Sequence, residues 1–322
     1  AEPGDTIYTA ARKAGITIPS LCASDHLVPF GSCRLCLCEI EGQSGTPATC
    51  TTPAREGLVV QTDTKQLQRL RRNIVELYLS EQPAAGPVPE ALQRLAVSCG
   101  VRAVRYHNPE RRLAYRDDSN PFFSFDNVAC VSCARCVRAC DEIQGTHALT
   151  MFGRGFEARP AAGPYQPSAI SHQPFALGFA DSNCVSCGAC VKECPTGALT
   201  EKTVQKQGAP TGTVRTTCAY CGVGCSFDAG VRDGRVVRMT PADDGPSNQG
   251  HACMKGRFGW TYNDAPDRLR VPLLRRGNDW EEISWESALD LVAQEFTRIK
   301  DAQGPDALAT ISSSRGTNEE NY

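Results

Sequence analysis

The sequence predicts an α+β chain of several small modules rather than one or two large domains. Three observations predict it. Eighteen cysteines in 322 residues fall into tight groups, and metal clusters can replace the core that a module of roughly 50–70 residues lacks. Strand-like and helical apolar periods each persist only over short stretches. Segments rich in Gly and Pro (83–89 and 153–174) and a polar stretch (205–216) punctuate the chain.

Residues 1–62 read as a β-rich module with one helix. Thr6 to Gly15 suits a short helix with Ile7, Ala10, Ala11 and Ala14 on one side, and Leu35–Ile40 and Gly57–Gln61 read as strands. Residues 63–117 form a helical segment. Its first helix, over 64–80, puts Leu67, Leu70, Ile74, Leu77 and Tyr78 on one face, and a second runs from Glu90 to Cys99. Residues 118–205 hold a duplication, because Cys130-Val-Ser-Cys133-Ala-Arg-Cys136 mirrors Cys184-Val-Ser-Cys187-Gly-Ala-Cys190. A linker at 205–216 leads into the module assigned to 206–272, with a hairpin of Phe227–Val231 and Arg235–Met239 around Asp233-Gly234. Residues 273–322 open an α/β domain. There a helix begins near Ser284 with Ala288, Val292, Phe296 and Ile299 inward, and a strand follows at Ala307–Ser312.

The net charge of -2 gives no reason to expect nucleic acid or an anionic membrane. Residues 63–116 carry ten Lys and Arg against five Asp and Glu, which suits either a docking face for an acidic partner or a solvated helical face. No run of eighteen apolar residues spans a bilayer, and no signal peptide is visible. Thiolate ligation needs a reducing compartment, so the cytoplasm is expected. The chain starts at Ala1 and stops at Tyr322 as if cut at both ends, which predicts a fragment of a longer polypeptide.

Sixteen cysteines form four ligand sets. Cys130, Cys133, Cys136 and Cys140, and likewise Cys184, Cys187, Cys190 and Cys194, follow the C-x2-C-x2-C-x3-C spacing of two-cluster ferredoxins. In that spacing the fourth cysteine ligates the other cluster. One [4Fe–4S] is therefore expected on Cys130, Cys133, Cys136 and Cys194, and another on Cys184, Cys187, Cys190 and Cys140. Paired zinc sites would favour two separated C-x2-C pairs. Cys22, Cys33, Cys36 and Cys50 fit the plant-type [2Fe–2S] spacing only in part, since the first gap is longer. Cys218, Cys221, Cys225 and Cys253 suit a further [4Fe–4S], with a zinc ribbon as competitor. Lys255 follows the last of them and could stabilise a reduced cluster or bond a neighbouring cofactor; alone it would read as a surface lysine. Cys38, two residues from Cys36, is expected to face away from the first set. Cys99 lies on an apolar helix face and is expected in the core. The five histidines read as structural.

In motif order the chain resembles the N-terminal part of the α (catalytic) subunit of NAD-dependent molybdenum or tungsten formate dehydrogenases. Ile18-Pro-Ser-Leu-Cys22, Gly31-Ser-Cys-Arg-Leu-Cys36 and Ala48-Thr-Cys-Thr-Thr-Pro53 resemble its [2Fe–2S] module, expected as a β-grasp ferredoxin-like domain. Cys133 to Gly145 and Cys187 to Leu199 resemble its two-cluster ferredoxin domain. Cys253-Met-Lys-Gly-Arg-Phe-Gly259, Arg268 to Leu273 and Ser312 to Tyr322 resemble the start of its molybdopterin-binding region.

The resemblance implies one [2Fe–2S] and three [4Fe–4S] clusters. It also implies a bis-molybdopterin guanine dinucleotide with Mo or W in the full subunit, and Lys255 between the proximal cluster and the pterin. Formate and CO2 would be the substrates. The metal ligands would lie beyond Tyr322, so no catalytic residue falls in this chain. The expected partner is a flavin- and iron–sulfur-containing subunit that reduces NAD⁺. The large iron–sulfur subunit of complex I shares the module order, so a complex I-type or hydrogenase-type wiring subunit without formate chemistry is the alternative. One departure stands out. Family members usually carry another [4Fe–4S] held by one His and three Cys. Its His-Pro would fall at Gln82-Pro83, and Ala84 to Ser98 contains no cysteine, so that cluster is expected to be missing.

Overall fold

The computed structural model describes residues 1–82, 88–106, 115–155, 158–163, 178–313 and 316. Helices and short sheets are mixed along the chain, which divides into two compact units, Ala1–Thr211 and Gly212–Tyr322.

The first unit opens with helix α1 (Ile7–Lys13). Thr6 caps it, its hydroxyl accepting the Thr9 N–H at 3.2 Å. Strand β1 (Glu39–Ile40) pairs antiparallel with β2 (Val60–Gln61), so the strands expected over 35–40 and 57–61 shrink to two residues each. Isolated bridges, Thr6 with Pro53 and Leu37 with Ala48, hold the rest of the loop. The short ladder explains the separation of two cysteines. A regular strand would put Cys36 and Cys38 on the same face. Instead Cys38 packs with Ile7 and Ile40, while Cys36 packs with Ile18, Ala48 and Cys50.

Helix α2 (Lys65–Ser80) is capped by Thr64, whose hydroxyl accepts the Leu67 N–H. Its inward arc is Leu67, Arg71, Ile74, Val75 and Tyr78, while Leu77, expected inward, is 47% exposed. Arg71 displaces the expected face because its buried guanidinium has partners. Nε donates to the Leu35 carbonyl at 3.0 Å and Nη2 to that of Leu37 at 2.7 Å. Helix α3 (Glu90–Ser98) packs on α2 through buried Leu92, and Cys99, just past its end, packs on the same core.

The duplicated region contributes β3 (Arg116–Asp117), β4 (Phe123–Asp126) and α4 (Arg135–Arg138), which runs into a π-helical turn at Ala139–Gln144. Then come β5 (Leu149–Phe152), β6 (Arg159–Ala162), α5 (Ala189–Glu193), β7 (Leu199–Glu201) and α6 (Lys202–Gln207). The sheet order is β3-β4-β7, with Phe123 opposite Glu201 and Phe125 opposite Leu199. A strand before the first cysteine triplet thus pairs with one after the last, and α4 packs on α5. Pro83 and most of the Gly/Pro-rich insertion lie outside the described residues.

The second unit begins with β8 (Gly212–Thr217), β9 (Ser226–Arg232) and β10 (Arg235–Pro241) in the order β10-β9-β8. The expected linker at 205–216 is thus partly helix α6 and partly strand β8. Every residue of β8 is exposed, so it carries no apolar alternation to read. The hairpin forms as expected, with Asp233 at φ 50° and Gly234 at φ 74°. Two left-handed residues are what a two-residue type I′ turn requires. Helix α7 (Met254–Phe258), the hairpin β11 (Leu273–Arg276) and β12 (Asp279–Glu282), and helix α8 (Trp285–Gln303) follow. Ser284 caps α8, its hydroxyl accepting the Ser287 N–H. Val292 and Phe296, expected inward, are 50% and 55% exposed. The strand expected at 307–312 does not form among the described residues. Pro305–Ala307 is a 3-10 turn instead, and a strand without a neighbour has no ladder for its backbone groups. No described helix is long and apolar enough to cross a membrane.

Removing the Arg71 guanidinium strands two buried carbonyls, each at a cost of roughly 1–3 kcal/mol. Arg71→Met is expected to lower the urea midpoint of the first unit by an amount equivalent to about 2–4 kcal/mol. Leu77→Ala on the exposed side of the same helix should change it by less than about 0.5 kcal/mol. Equal midpoints for the two variants would contradict this.

Candidate metal centres

All eighteen cysteines are free thiols. Cys22, Cys33, Cys36 and Cys50 come together and are each at most 2% exposed. Hydrogen bonds from Cys33 and Cys50 hold the Cys22 thiol far below its ordinary range, and a bond with Cys50 brings Cys36 down to about 6. Cys33 and Cys50 are correspondingly pushed up, chiefly because their side chains bond Cys22. Backbone donors face the same sulfurs: Leu21 N–H meets Cys33 Sγ at 3.4 Å and Cys33 N–H meets Cys22 Sγ at 3.5 Å.

In the duplicated region one cavity is lined by Cys130, Cys133, Cys136 and Cys194, walled by Phe125, Val131, Pro160 and Leu199. The structure thus gathers the first triplet with the last cysteine of the second. Burial pushes the Cys133 thiol up to about 12; the Arg135 backbone N–H works against this, and Cys194 and Cys130 add to it. In the other half, burial raises Cys184, the Ser186 N–H opposes, and the charges of Cys187 and Cys140 add to the rise. Cys190 is buried on α5.

The two halves repeat one device. Ser132 N–H donates to Cys130 Sγ at 3.3 Å, and Ser186 N–H to Cys184 Sγ at 3.4 Å. Ser132 (φ 52°) and Ala134 (φ 59°) match Ser186 (φ 55°) and Gly188 (φ 75°). Left-handed backbone turns successive N–H groups inward, where they meet thiolate charge. The fourth cysteines have donors too, Ala148 N–H to Cys140 Sγ at 3.2 Å and Leu199 N–H to Cys194 Sγ at 3.5 Å.

In the second unit, Cys218 and Cys225 are raised mainly by burial, with Cys221 and Cys253 adding to both. Gly256 lies directly against this group. A Cβ there would meet Phe227 Cζ at 2.9 Å and Cys218 Sγ at 3.1 Å. Lys255 is exposed on α7, two residues beyond Cys253. Among the described residues no group of three or more His, Cys, Asp or Glu could hold a single metal ion. A cluster spreads its thiolates around several metal atoms, so its donor set stands wider than that of one ion. Buried free thiols, inward N–H groups and a thiol-lined cavity suit iron–sulfur clusters.

Two groups meet directly. Cys22, Cys33 and Cys133 share one buried core with Leu21, Leu35 and Val131. Ser32 Oγ donates to the Cys133 carbonyl at 3.3 Å, and Tyr78 Oη to the Cys33 carbonyl at 3.4 Å. Burial pushes the Tyr78 phenol well above its ordinary range, and Cys33, Cys133 and Cys22 all add to the shift. Cysteine spacing carries no sign of this meeting, because the contacts join residues about a hundred positions apart.

Four family models match: a 2Fe-2S iron–sulfur cluster binding domain over residues 1–65, a 4Fe-4S dicluster domain over 129–198, a molybdopterin oxidoreductase Fe4S4 domain over 211–264, and molybdopterin oxidoreductase over 268–322. The chain carries iron–sulfur domains and the start of a molybdopterin oxidoreductase region. It is 35% identical over 324 residues to the NADPH-Fe(3+) oxidoreductase subunit alpha of Geobacter sulfurreducens, covering 98% of this chain and 36% of that protein. With an NADH-quinone oxidoreductase subunit of Rhizobium meliloti it shares 32% over 321 residues, 97% of this chain and 35% of that one. A Staphylococcus aureus protein provisionally named a formate dehydrogenase is 27% identical over 367 residues, covering 100% of this chain and 36% of the relative. The chain spans about a third of the length of these relatives.

The tight seat of Gly256 makes a test. Overpacking of this kind costs about 1–3 kcal/mol, and here it pushes on Cys218. Gly256→Ala is expected to lower bound iron by about four atoms per chain, one cubane's worth, with the clusters of the first unit retained. Full iron loading in the variant would contradict this.

Proposed function

We propose that this chain is the electron-transfer part of a longer molybdopterin oxidoreductase subunit. The observation that carries this reading is four sets of free thiols, the first buried throughout and the others in part, in a chain whose end matches a molybdopterin oxidoreductase region. The ligand sets are Cys22, Cys33, Cys36 and Cys50 for one [2Fe–2S], then Cys130, Cys133, Cys136 and Cys194, and Cys184, Cys187, Cys190 and Cys140, for two [4Fe–4S]. Cys218, Cys221, Cys225 and Cys253 hold a third. Clusters supply one-electron steps, which let two-electron chemistry at separate sites communicate. The residues of this chain bury the thiolates, offer them N–H donors and exclude water, and so set the potentials.

In the full protein the substrate is formate or CO2 at a Mo or W bis-molybdopterin guanine dinucleotide, with Lys255 between the last cluster and the pterin. Electrons go to a flavin- and iron–sulfur-containing partner that reduces NAD⁺, in the cytoplasm. The formate part rests on the motifs around Cys253 and Ser312 and on the provisionally named relative.

A second reading has its own support. The reductase subunits align over 324 and 321 residues, almost the chain's own 322, whereas the formate-dehydrogenase-named relative needs 367. They are also the more similar. In this reading the chain wires a pyridine-nucleotide reductase and takes no electrons from formate.

Iron and EPR analysis of the chain tests the shared part. About fourteen Fe are expected, two in one [2Fe–2S] and four in each of three cubanes; about eighteen Fe would mean that the His-containing cluster is present after all, and bound zinc without iron would defeat the reading. Formate added to the full-length subunit should reduce the clusters. NADPH or NADH reducing them through a partner, with formate inert, would favour the second reading.

A further inference from the structure

Arg138 stands at the meeting point of three ligand sets, two residues after Cys136 and two before Cys140. Its side chain leaves its own module. Nη2 donates to the carbonyl of Cys22 at 2.7 Å, Nη1 donates to that of Val28, and the guanidinium lies over the Phe30 ring, 5.4 Å from the centroid. The residue is 8% exposed. Among the described residues its polar partners are carbonyl oxygens, whereas nearby Arg135 is paired with the buried carboxylate of Glu193 at 2.6 Å. Among the described residues no carboxylate pairs with Arg138 directly; Glu142, one turn further along, accepts the N–H of Val28 at 2.7 Å, the residue whose carbonyl Arg138 holds. Its third donor, Nε–H, is buried and has no hydrogen-bond partner there. A buried N–H without an acceptor is costly, and a sulfur of an adjacent cluster would be a suitable acceptor.

We propose that Arg138 is the positioning residue that couples the [2Fe–2S] centre to the ferredoxin pair. It pins the Cys22 carbonyl, and so the loop that carries a [2Fe–2S] ligand, onto α4. Its buried positive charge would favour the electron-rich state of each neighbouring centre, and an Nε–H bond to a cluster sulfur would add to this. Gathering electrons next to one another would otherwise be opposed by their mutual repulsion. A guanidinium is suited to the place because it stays charged when buried and can bond two carbonyls at once.

This inference rests on the iron–sulfur reading above, and the test separates the two. If the unaltered chain binds no iron, that reading fails first. With iron bound, a redox titration followed by EPR is carried out on the full chain and on Arg138→Gln and Arg138→Lys. Loss of the charge in Arg138→Gln is expected to disfavour [2Fe–2S] reduction roughly tenfold, about 59 mV for one electron, with the Cys218 set unmoved as internal reference. Arg138→Lys keeps the charge and should shift less. A fully loaded Arg138→Gln with an unshifted [2Fe–2S] midpoint overturns the proposal. Should that variant lose iron, Arg138→Lys decides: a [2Fe–2S] midpoint lowered by clearly less than about 59 mV supports the proposal, and a drop of the full amount or more with the charge retained overturns it.

Discussion

Negative charge concentrated away from water is the constraint on which the first unit depends. Thiolates gathered four at a time repel one another and are costly to bury unless donors surround them. The chain answers at two scales. Locally, left-handed residues such as Ser132, Ala134, Ser186 and Gly188 turn backbone N–H groups toward sulfur. At longer range, side chains from neighbouring elements hold the loops that carry the cysteines. Arg71 ties down the carbonyls of Leu35 and Leu37, and Arg138 those of Cys22 and Val28. The sheets are short because the loops, not the ladders, carry the organisation.

That economy shapes the place where the family's His-containing cluster is expected to be missing. Helices α2 and α3 close over the gap through Leu92, Val75 and Leu35, and the same core continues to Cys33 and Cys133. The [2Fe–2S] loop therefore lies directly against the ferredoxin module. An electron path that would need an extra stepping stone elsewhere has a contact of neighbouring backbones here. Ser32 and Arg138 bridge it with hydrogen bonds.

Much of this was legible in the sequence. The repeated Cys-Val-Ser-Cys spacing pointed to a duplicated unit, and the structure gathers Cys194 with Cys130, Cys133 and Cys136 in one cavity. Asp233-Gly234 marked its hairpin because only a left-handed pair fits that turn. Other features were hidden for physical reasons. Counting apolar residues placed Leu77 inward and overlooked Arg71, whose burial rests on two carbonyls of a distant loop and on Asp63 at 4.0 Å. Strand β8 is exposed on both faces, so pairing with β9 alone reveals it. The strand expected at 307–312 had the right composition but no neighbour among the described residues. The Arg138–Cys22 bond joins positions 116 apart, beyond the reach of any local pattern.

A direct junction between the Cys22 and Cys130 sets is the claim that matters most for how electrons move. The magnetic interaction between the two centres tests it most directly. The EPR spectrum of the reduced [2Fe–2S] should be recorded with the neighbouring [4Fe–4S] poised oxidised and then reduced. Centres in adjoining loops should interact, so the [2Fe–2S] signal is expected to broaden or split, and to relax faster, when its neighbour becomes paramagnetic. A [2Fe–2S] spectrum with the same shape and relaxation in both states would contradict the junction.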